Sequence, residues 1–570
     1  MFHFVLALVE QPGQPFAHVR CLVGAYSVFL GNCLSGKVIY VSNIGMYVSI
    51  FNNVIGPVMR GPSSSHCAAA LRIGRLARDL MEGDFQKVLV EFDRNGSLAT
   101  THESQGSDMG LFGGLMGWDA IDDRLAGSAR AIANEGISVS IKIVNLNVQH
   151  PSTYRLTLSN ARERHVLTAV STGGGMIKII DIDGFSVSIE GDYRETLIYT
   201  KADSSMILRH FTDAVAADEI LIHQAGDAYL VEVKAQEFVD DAILAEIKEQ
   251  FDILAVRKLS PVLPVLSRAG LEVPFTTCEQ MLRYKGHRGV FLWQLAVAYE
   301  CARANLSEEG VLERMTEIVR ILRHSIEQGL EGTDYEDRIL GCQSDRFSRH
   351  MKDKSLLDVG LLNRIILYVT AIMEVKSAMG VIVAAPTAGA CAALPGACLA
   401  AGDELGLSDN DVAKAMLAGG MIGVFIATSS TFAAEVAGCQ AECGAASGMA
   451  AAALATIGGG TAEQAVAAAS IALQNSLGMV CDPVANRVEV PCLGKNVMAA
   501  SNALACANMA LAEYDPVIPL DEVIEAMDRV GRSLPYQLRC TALGGLSVTK
   551  TSKAIEAKLK RGRRDGGAQS

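Results

Sequence analysis

The chain has 570 residues, of which half are apolar and a fifth are charged, and its formal net charge is −13. This length predicts three or four domains, and an acidic chain lacks the basic surface that a nucleic-acid-binding protein needs. Fourteen cysteines without a secretory signal predict a reducing cytoplasm, where thiols serve as metal ligands or core residues. These features favour a cytoplasmic enzyme of small metabolites with no nucleic-acid partner.

The first 45 residues lack a clear hydrophobic period. Their apolar run FHFVLALV is too short and too poorly flanked for a signal peptide. From Met46 the pattern changes to MYVSIFNNVIGPVMRGPSSSH. Our hypothesis is that the natural start is Met46 and that residues 1–45 are a mis-assigned extension.

Residues 46–190 alternate between strand-like and helical patterns. The segments KVLVEFD, VSIKIVNLNV, YRLTLS and MIKIIDIDGF show the β-branched alternation of strands. The segment SHCAAALRIGRLARDLM has the period of an amphipathic helix. We therefore predict an α+β domain over 46–190.

The motif RGPSSSHCAAALRIG at 60–74 places Ser63, Ser64 and Ser65 directly before that helix. Hydroxyls and free backbone N–H groups at the positive end of a helix form a ready carboxylate site. His66 follows at the helix start. Taken alone, the pattern is more often an ordinary N-cap with a local histidine, so the residues leave both interpretations open.

Residues 191–258 follow the order strand, helix, two strands, helix, strand. The segments are ETLIYTK, SSMILRHFTDAVA, EILIHQ, AYLVEVK, FVDDAILAEIKEQF and ILAVRKL. This βαββαβ order predicts a small ferredoxin-like domain. The Pro-rich stretch 259–275 that follows predicts a linker.

From about residue 276 the periodicity is helical, which predicts an all-α domain over 276–557. Two uncharged windows, Ala415–Ala434 and Cys443–Ala462, have the length of a membrane span. Ala, Gly, Ser and Thr dominate both windows, whereas insertion needs strongly apolar residues, so we predict buried bundle helices and no membrane partner. The basic tail 558–570 is predicted to be disordered.

Three cysteines of the helical region, Cys439, Cys481 and Cys492, each lie in a short context punctuated by Gly or Pro. Backbone fixed in this way suits thiolates held at a set distance from a metal. Soft sulfur ligands favour zinc or iron–sulfur clusters, and three thiolates would leave one iron of a cube open as a Lewis acid. The alternative is a set of core residues, because free cysteine often acts as a small hydrophobe. Cys443, one helical turn after Cys439, is open to either interpretation.

Four stretches resemble the alpha part of the iron–sulfur-dependent L-serine dehydratases: GCQAECGAASGMAAA, LGMVCDPVANRVEVPC, VGRSLPYQLRCTALGGL and IVAAPTAGACAALPGA. The stretch that begins at Met46 resembles the family's beta part. The resemblance implies a beta-type domain over 46–190, a regulatory ACT-like domain over 191–258 and an alpha-type domain over 276–557. In the ACT-like segment KADSS replaces the usual Pro-Gly turn, so a structural spacer is as consistent as an effector site.

The same resemblance implies an activity and a set of site residues. The activity is deamination of L-serine to pyruvate and ammonia, with a [4Fe-4S] cluster on Cys439, Cys481 and Cys492 as the Lewis acid. The SSSH loop becomes the site for the substrate carboxylate, and His66 the leading candidate for the base. The other candidates for substrate binding are Asp108, His150, Thr387, Gly389, Lys495 and Asn496.

The chain departs from the family near the expected site. Cys67 stands where the family usually has Thr, and Gln105 stands where it has His. A glutamine cannot exchange protons near neutral pH as a histidine does; His102, three residues earlier, is one possible replacement. Lys376 and Lys495 stand where relatives often carry Asn and Arg, and a second lysine near the site would favour an anionic substrate.

We expect a fused L-serine dehydratase that acts on a small amino acid as a homodimer. Three alternatives stay open on the sequence. A related iron–sulfur lyase would act on another small hydroxy or thio acid, a binding paralogue would hold an amino acid without turnover, and a zinc-bound protein would use the cysteines structurally. The departures at Cys67, Gln105 and Lys376 favour the first alternative.

Overall fold

A computed structural model describes residues 21–23, 26–28, 47–201, 215–284, 289–335 and 338–566. The chain divides into two units, Met1–Met46 and Tyr47–Ser570. In the first unit, strands β1 (Cys21–Val23) and β2 (Tyr26–Val28) pair antiparallel. All the elements described below belong to the second unit.

The second unit opens with a tight helical turn over Ile50–Val54 and a short strand, β3 (Val58–Arg60). Another tight turn, Ser64–Ala68, leads into helix α1 (Ala69–Leu80), as the amphipathic period predicted. Three further helices follow: α2 (Leu98–Thr101), α3 (Ser107–Leu115) and α4 (Ser128–Asn134). Glycines let α3 lie close to α1, since a Cβ on Gly114 would come within 2.1 Å of the Leu71 carbonyl oxygen.

Helices α1, α2 and α4 contact strands of a six-stranded mixed sheet. Its strands are β4 (Lys87–Asp93), β5 (Ser138–Val144), β6 (Thr153–Ser159), β7 (Arg164–Gly173), β8 (Met176–Ile182) and β9 (Phe185–Ile189). In the order β5-β4-β6-β7-β8-β9, the pair β4–β5 is parallel and the other pairs are antiparallel. Buried and exposed residues alternate along β9, as expected of a sheet with one covered face. The four strands predicted from alternation are confirmed, and β7 and β9 complete the sheet.

A four-stranded antiparallel sheet follows in the order β11-β12-β10-β13. Its elements are β10 (Arg194–Thr200), β11 (Glu219–Ala225), β12 (Ala228–Ala235), helix α5 (Asp241–Gln250) and β13 (Ile253–Leu259). Asp240 caps α5, because its side chain accepts from the backbone N–H of Ala242. The other predicted helix of this segment, SSMILRHFTDAVA, falls almost wholly on 202–214, outside the described residues.

The remainder of the chain is helical, as predicted. Its elements are α6 (Cys278–Arg283), α7 (Leu292–Ala304), α8 (Glu308–Glu331), α9 (Ser344–Lys352), α10 (Leu361–Ser377), the short strand β14 (Val381–Val383), α11 (Ala393–Leu405), α12 (Asp409–Ser429), α13 (Ala434–Ala437), α14 (Ala445–Ile457), α15 (Ala462–Gln474), α16 (Cys492–Leu511), α17 (Leu520–Ser533) and α18 (Lys550–Gly566). Side chains of Ser307, Ser408 and Thr461 cap the starts of α8, α12 and α15.

Helix α12 lies in the interior of the helical region. By length and composition it could cross a membrane, and 78% of its most apolar window is buried by the rest of the protein. Its glycines explain its composition, since a Cβ on Gly419 would lie 2.8 Å from the carbonyl oxygen of Met449 on α14. A Cβ on Gly423 would lie 2.1 Å from Val54. The small residues are therefore needed for close packing.

Helix α18 runs to Gly566, so the disorder predicted from residue 558 is wrong over 558–566. Lys and Arg, which are strong helix formers, make up five of the nine residues of 558–566. Glu556 pairs with both Lys553 and Lys560 at helical spacing. Residues 567–570 lie outside the described residues.

Candidate active site

Pairing of two short strands brings two separately predicted loops together. β3 of the N-terminal α+β part pairs antiparallel with β14 of the helical part. The loop Ser63–Ser65 follows β3, and the loop 386–390 follows β14. The backbone N–H of Ala388 donates to Ser64 Oγ at 3.1 Å. The site therefore lies where the α+β part meets the helical part.

His66 is buried in this loop and uses both of its ring nitrogens. Nδ1 lies 2.9 Å from Ser63 Oγ, and Nε2 lies 2.9 Å from Thr101 Oγ1. The hydroxyl of Thr101 also donates to the carbonyl oxygen of Ser97 at 2.7 Å. Because a hydroxyl has one proton and a carbonyl oxygen can only accept, Nε2 must be the N–H that donates to Thr101. The lone pair of the neutral ring therefore lies on Nδ1.

Burial lowers the pKa of His66 below its ordinary value, although the charge of Glu435 opposes this shift. The neutral imidazole is therefore the state present near neutral pH. Neutral imidazole with a directed lone pair can accept a proton from a bound molecule.

The serine loop does not act as an ordinary N-cap. Ser63 has the extended backbone of a capping residue, yet its side chain makes no capping hydrogen bond. Its hydroxyl faces His66, and Ser65 Oγ donates to Glu435 Oε1 at 3.0 Å. The capping interpretation that the residues alone favoured is thus wrong for Ser63, because hydroxyls of this loop orient the site residues.

Glu435 is a site residue that the sequence analysis missed. It is 8% exposed, and its Oε1 lies 3.8 Å from His66 Nδ1. It belongs to helix α13, which ends just before Cys439. The glycine triplet at 173–175 packs against this segment, since a Cβ on Gly173 would lie 2.9 Å from the backbone nitrogen of Ala433. An acidic residue four positions before a predicted metal ligand was the available signal.

His150 is near the same carboxylate. The backbone N–H of Ser152 donates to its Nδ1 at 3.2 Å, which leaves the proton of the neutral ring on Nε2. Burial lowers the pKa of His150, and the charge of Glu435 opposes the shift. His150 is thus a neutral donor on the α+β side of the site.

Two of the three predicted metal ligands, Cys439 and Cys481, lie in one buried cluster with Glu442, and Cys492 lies outside this group. Sγ of Cys439, Sγ of Cys481 and a carboxylate oxygen of Glu442 all lie within 4.8 Å of one another. Cys439 directly precedes the turn Gln440–Gly444, and Cys492 is the first residue of α16. Cys492 is buried, and the charge of Cys439 contributes to raising its pKa after burial itself.

A fourth cysteine, Cys540, joins this cluster. Its backbone N–H donates to the Cys481 carbonyl oxygen at 3.0 Å, and the four residues Ala434, Cys439, Cys481 and Cys540 pack together. Cys540 lies in the stretch VGRSLPYQLRCTALGGL, which carries part of the family resemblance, but it was not predicted as a site residue. Cys443 is also buried beside the cluster, where it accepts from the Asn496 amide at 3.7 Å.

Glu442 is the second carboxylate that the sequence analysis missed. Its Oε1 accepts from Thr387 Oγ1 at 2.8 Å, and its Oε2 lies 3.9 Å from Cys439 Sγ. A Cβ on Gly389 would lie 2.8 Å from Oε1, so the glycine makes room for the carboxylate. Burial, followed by the charge of Glu435, raises the pKa of Glu442 to about 7. Thr387 and Gly389 thus contact Glu442 directly.

The predicted residues Asn496 and Lys495 are engaged within the protein. The Asn496 amide donates to the Gly389 carbonyl oxygen at 2.8 Å and to that of Cys492 at 2.9 Å. Lys495 Nζ donates to the Val480 carbonyl oxygen at 2.6 Å and pairs with an Asp482 carboxylate oxygen at 3.0 Å. Both side chains therefore hold the loops around the thiols.

Lys376, predicted near the site, is fully buried on α10. Its ammonium donates to the Val488 carbonyl oxygen. The charge of Lys376 lowers the pKa values of Cys391, Cys492 and Glu442, in each case against a larger raising effect of burial. It acts as a buried cation beside the thiol cluster.

The residues around Gln105 also take definite partners. Gln105 is buried, and its Nε2 lies 3.9 Å from Cys540 Sγ. His102 Nδ1 lies 2.8 Å from an Asp108 carboxylate oxygen, and this histidine lines a separate cavity of about 640 Å³. Cys67 packs in the core, where burial raises its pKa to about 12. The carboxylate of Asp108 contacts His102 within the protein, and its predicted contact with the substrate stays a prediction.

The thiol cluster has the chemistry of a metal centre. Hydrogen bonds with Cys439 and Cys540, followed by burial, raise the pKa of Cys481 well above its ordinary value. Crowded buried thiols resist ionisation until a cation compensates their charge, and thiolates are the ligands that iron–sulfur clusters use. Cys439 and Cys481, together with the carboxylate of Glu442, therefore fit a metal centre, while Cys492 as a ligand and the iron–sulfur cluster stay predictions.

Comparisons with known proteins identify relatives of the helical part of the chain. A family model described as the serine dehydratase alpha chain matches residues 287–547. The probable L-serine dehydratase alpha chain of Bacillus subtilis (strain 168) is 34% identical over 285 residues, which cover 50% of this chain and 95% of that protein.

Two further relatives are also similar to this chain. The probable beta chain from the same organism is 33% identical over 220 residues, covering 38% of this chain and 99% of that protein. An L-serine dehydratase of Helicobacter pylori (strain ATCC 700392 / 26695) is 26% identical over 506 residues, covering 86% of this chain and 96% of that protein. The chain therefore belongs to the iron–sulfur-dependent L-serine dehydratase family, with beta-chain and alpha-chain parts in one polypeptide.

Proposed function

We propose that the protein deaminates L-serine to pyruvate and ammonia. The observation that carries the proposal is the position of the His66 base, whose Nδ1 lies 3.8 Å from Glu435, on the helix that leads into Cys439. A base and a buried thiol cluster thus share one site. Relatives that cover this chain are named L-serine dehydratases.

The proposed cofactor is a [4Fe-4S] cluster held by Cys439, Cys481 and Cys492. Such a cluster has three protein ligands and supplies Lewis-acid polarisation of the substrate hydroxyl when bound. The buried ammonium of Lys376 compensates the negative charge that three thiolates bring into the interior.

The side chains of the protein supply the proton transfers and the orientation. His66 removes the α-proton at Nδ1, while Thr101 holds the proton on Nε2. The Ser63–Ser65 loop binds the substrate carboxylate. Glu442, whose pKa is raised to about 7, holds a proton next to the thiols that it can transfer to the departing hydroxyl. Aminoacrylate then leaves, tautomerises and hydrolyses to pyruvate and ammonia.

A related lyase for another small hydroxy or thio acid is the second candidate function. The observation that favours it is the contact between Gln105 and Cys540, since a non-titrating side chain occupies the position of the family's histidine. The Lys495 ammonium, in contrast, gives it no support, because the carboxylate of Asp482 already neutralises that charge.

We also propose that residues 191–258 form an ACT-like domain and that the protein works in the cytoplasm. The four antiparallel strands and the helix between the last two of them support the first proposal. Fourteen cysteines support the second, because reduced thiols are stable in that compartment.

The test is release of pyruvate from L-serine by anaerobically purified, iron-reconstituted protein. We expect turnover that air destroys, and a His66→Ala variant that keeps its iron and sulfide but loses about 10²- to 10⁴-fold in kcat. An intact cluster with no pyruvate would shift the assignment to another substrate or to a binding role. Zinc in place of iron and sulfide would refute the mechanism.

A further inference from the structure

Glu435 is a buried carboxylate without a permanent cationic partner. In the ranges that the structure describes, its carboxylate accepts one hydrogen bond, from Ser65 Oγ at 3.0 Å. Its histidine neighbours are His66, whose Nδ1 is 3.8 Å away, and His150; burial lowers the pKa of each, so both rings are neutral near neutral pH. No Lys or Arg nitrogen of the described residues lies within ion-pair distance of it. A buried carboxylate in this state is costly unless a cation binds to it.

The second carboxylate of the site differs in this respect. Glu442 accepts from Thr387, and the charges of Lys376 and Lys495 both act on it. Its Oε2 also lies 3.9 Å from the Cys439 thiol. Glu442 therefore has partners within the protein, whereas Glu435 keeps capacity for a cationic ligand.

We propose that Glu435 is the receptor for the α-ammonium group of the substrate, and that it restricts the site to α-amino acids. The proposal rests on the proposed function. The ammonium nitrogen is bonded to the same carbon whose proton His66 Nδ1 removes. A nitrogen held by Glu435 Oε1, 3.8 Å from Nδ1, thus places that carbon beside the base.

The neighbours of Glu435 fit this role. Ser65 donates to Oε1 and fixes the orientation of the carboxylate, while Ser63 holds the histidine ring. The Ser63–Ser65 loop, which the proposed function assigns to the substrate carboxylate, lies directly beside Glu435. The loop thereby binds the carboxylate of a zwitterionic substrate, and Glu435 binds its ammonium group. A hydroxy acid, which lacks the ammonium group, would leave the charge of Glu435 uncompensated.

The experiment compares two ligands that differ only in the amino group, L-alanine and propanoate. Neither carries the hydroxyl that the reaction eliminates, so binding is measured without turnover, by calorimetry on the anaerobically reconstituted holoenzyme. We expect the wild type to bind L-alanine at least about tenfold more tightly than propanoate. Glu435→Gln should lose about 10- to 100-fold in affinity for L-alanine, while its affinity for propanoate stays the same or improves.

Glu300→Gln is the matched control. Glu300 is also a fully buried carboxylate, but it accepts from Ser49 Oγ and the backbone N–H of Ile50, outside the site. This variant should keep the wild-type ratio of the two affinities even if it loses stability. Glu435→Gln should melt at or above the wild-type temperature, because it removes an uncompensated buried charge.

Two results would overturn the assignment. One is a wild type that shows no preference for L-alanine over propanoate, and the other is a Glu435→Gln variant that keeps the wild-type preference. Pyruvate release from L-serine is scored separately. No pyruvate with an intact, Glu435-dependent preference would refute the proposed function and leave the ammonium receptor in place.

Discussion

Thr101 fixes the tautomer of His66 through one contact, 2.9 Å between Thr101 Oγ1 and His66 Nε2. The two residues belong to different elements, since His66 precedes α1 and Thr101 ends α2. The Thr101 hydroxyl donates its one proton to the Ser97 carbonyl oxygen, so towards the imidazole it can act only as an acceptor. The basic lone pair is thereby directed to Nδ1, on the side of Ser63 and Glu435.

Replacing Thr101 by Val should slow the reaction with little change in shape. The variant leaves a buried imidazole N–H without its acceptor, which costs about 1–3 kcal/mol and frees the ring to adopt the other tautomer. We expect kcat to fall about 10- to 100-fold with a small change in KM. Thr100→Val is the matched control, because the neighbouring hydroxyl contacts Ser97 and not His66. Wild-type kcat in Thr101→Val would contradict the tautomer assignment.

The pH dependence of kcat/KM should report the environment of His66. Burial lowers the pKa of this histidine from 6.5, so the neutral base persists to lower pH than for a free imidazole. The acid limb of the profile should therefore have its midpoint below 6.5. Because the charge of Glu435 raises this pKa, Glu435→Gln should move the midpoint to still lower pH. A limb at or above pH 6.5, or a shift in the opposite direction, would exclude His66 as the titrating base.

Several features of the fold and the site were predictable because their signals are local. Alternation of β-branched residues predicted β4, β5, β6 and β8, and Gly or Pro beside the thiols pointed to Cys439 and Cys481, which the structure brings together with Glu442. The amphipathic period predicted α1. The part of α18 over 558–566 was not predicted, because a charged sequence that resembles a disordered tail is also rich in helix formers.

The rest of the site depends on contacts between distant parts of the chain. Ser65 and Glu435 are separated by 370 positions, and only the tertiary packing of the chain brings them together. The burial of Lys376 is likewise invisible in its local sequence, because it follows from the packing of α10 against the segment that contains Val488. The role proposed for Glu435 follows from the lack of a Lys or Arg partner among the described residues, and the sequence alone does not show which charges lie beside a carboxylate.

The ligand assignment predicts that Cys481→Ser removes the cluster and the activity together. A serine hydroxyl is a poor replacement for a soft thiolate ligand. Iron and sulfide per chain should fall to a small fraction of the wild-type content after reconstitution, with no pyruvate release. Cys506→Ser is the control, since this buried thiol contacts Asn475 and Asn502 and lies apart from the cluster. Full iron with normal turnover in Cys481→Ser would remove Cys481 from the ligand set.

The space beside Gly389 should be essential because Glu442 fills it. A Cβ at this position would lie 2.8 Å from one carboxylate oxygen of Glu442 and 3.0 Å from the other. The carboxyl group must then move away from Thr387, so we expect Gly389→Ala to lower kcat/KM about 10- to 100-fold, because protonated Glu442 loses the hydrogen bond that positions it. Iron content should be measured in parallel, to separate an effect on proton transfer from a failure to assemble the cluster.

Gly494→Ala provides the comparison for that variant. Gly494 is an exposed helical residue two positions after Cys492, and a Cβ there would meet no atom within 4 Å. We expect wild-type kcat/KM and a gain of about 0.5–1 kcal/mol in stability, since alanine favours the helix more than glycine does. Wild-type kcat/KM in Gly389→Ala as well would show that the reaction tolerates a displaced Glu442, and would refute its proposed role as proton donor. A loss in Gly389→Ala alone, at wild-type iron content, would assign that role to the carboxylate that the glycine accommodates.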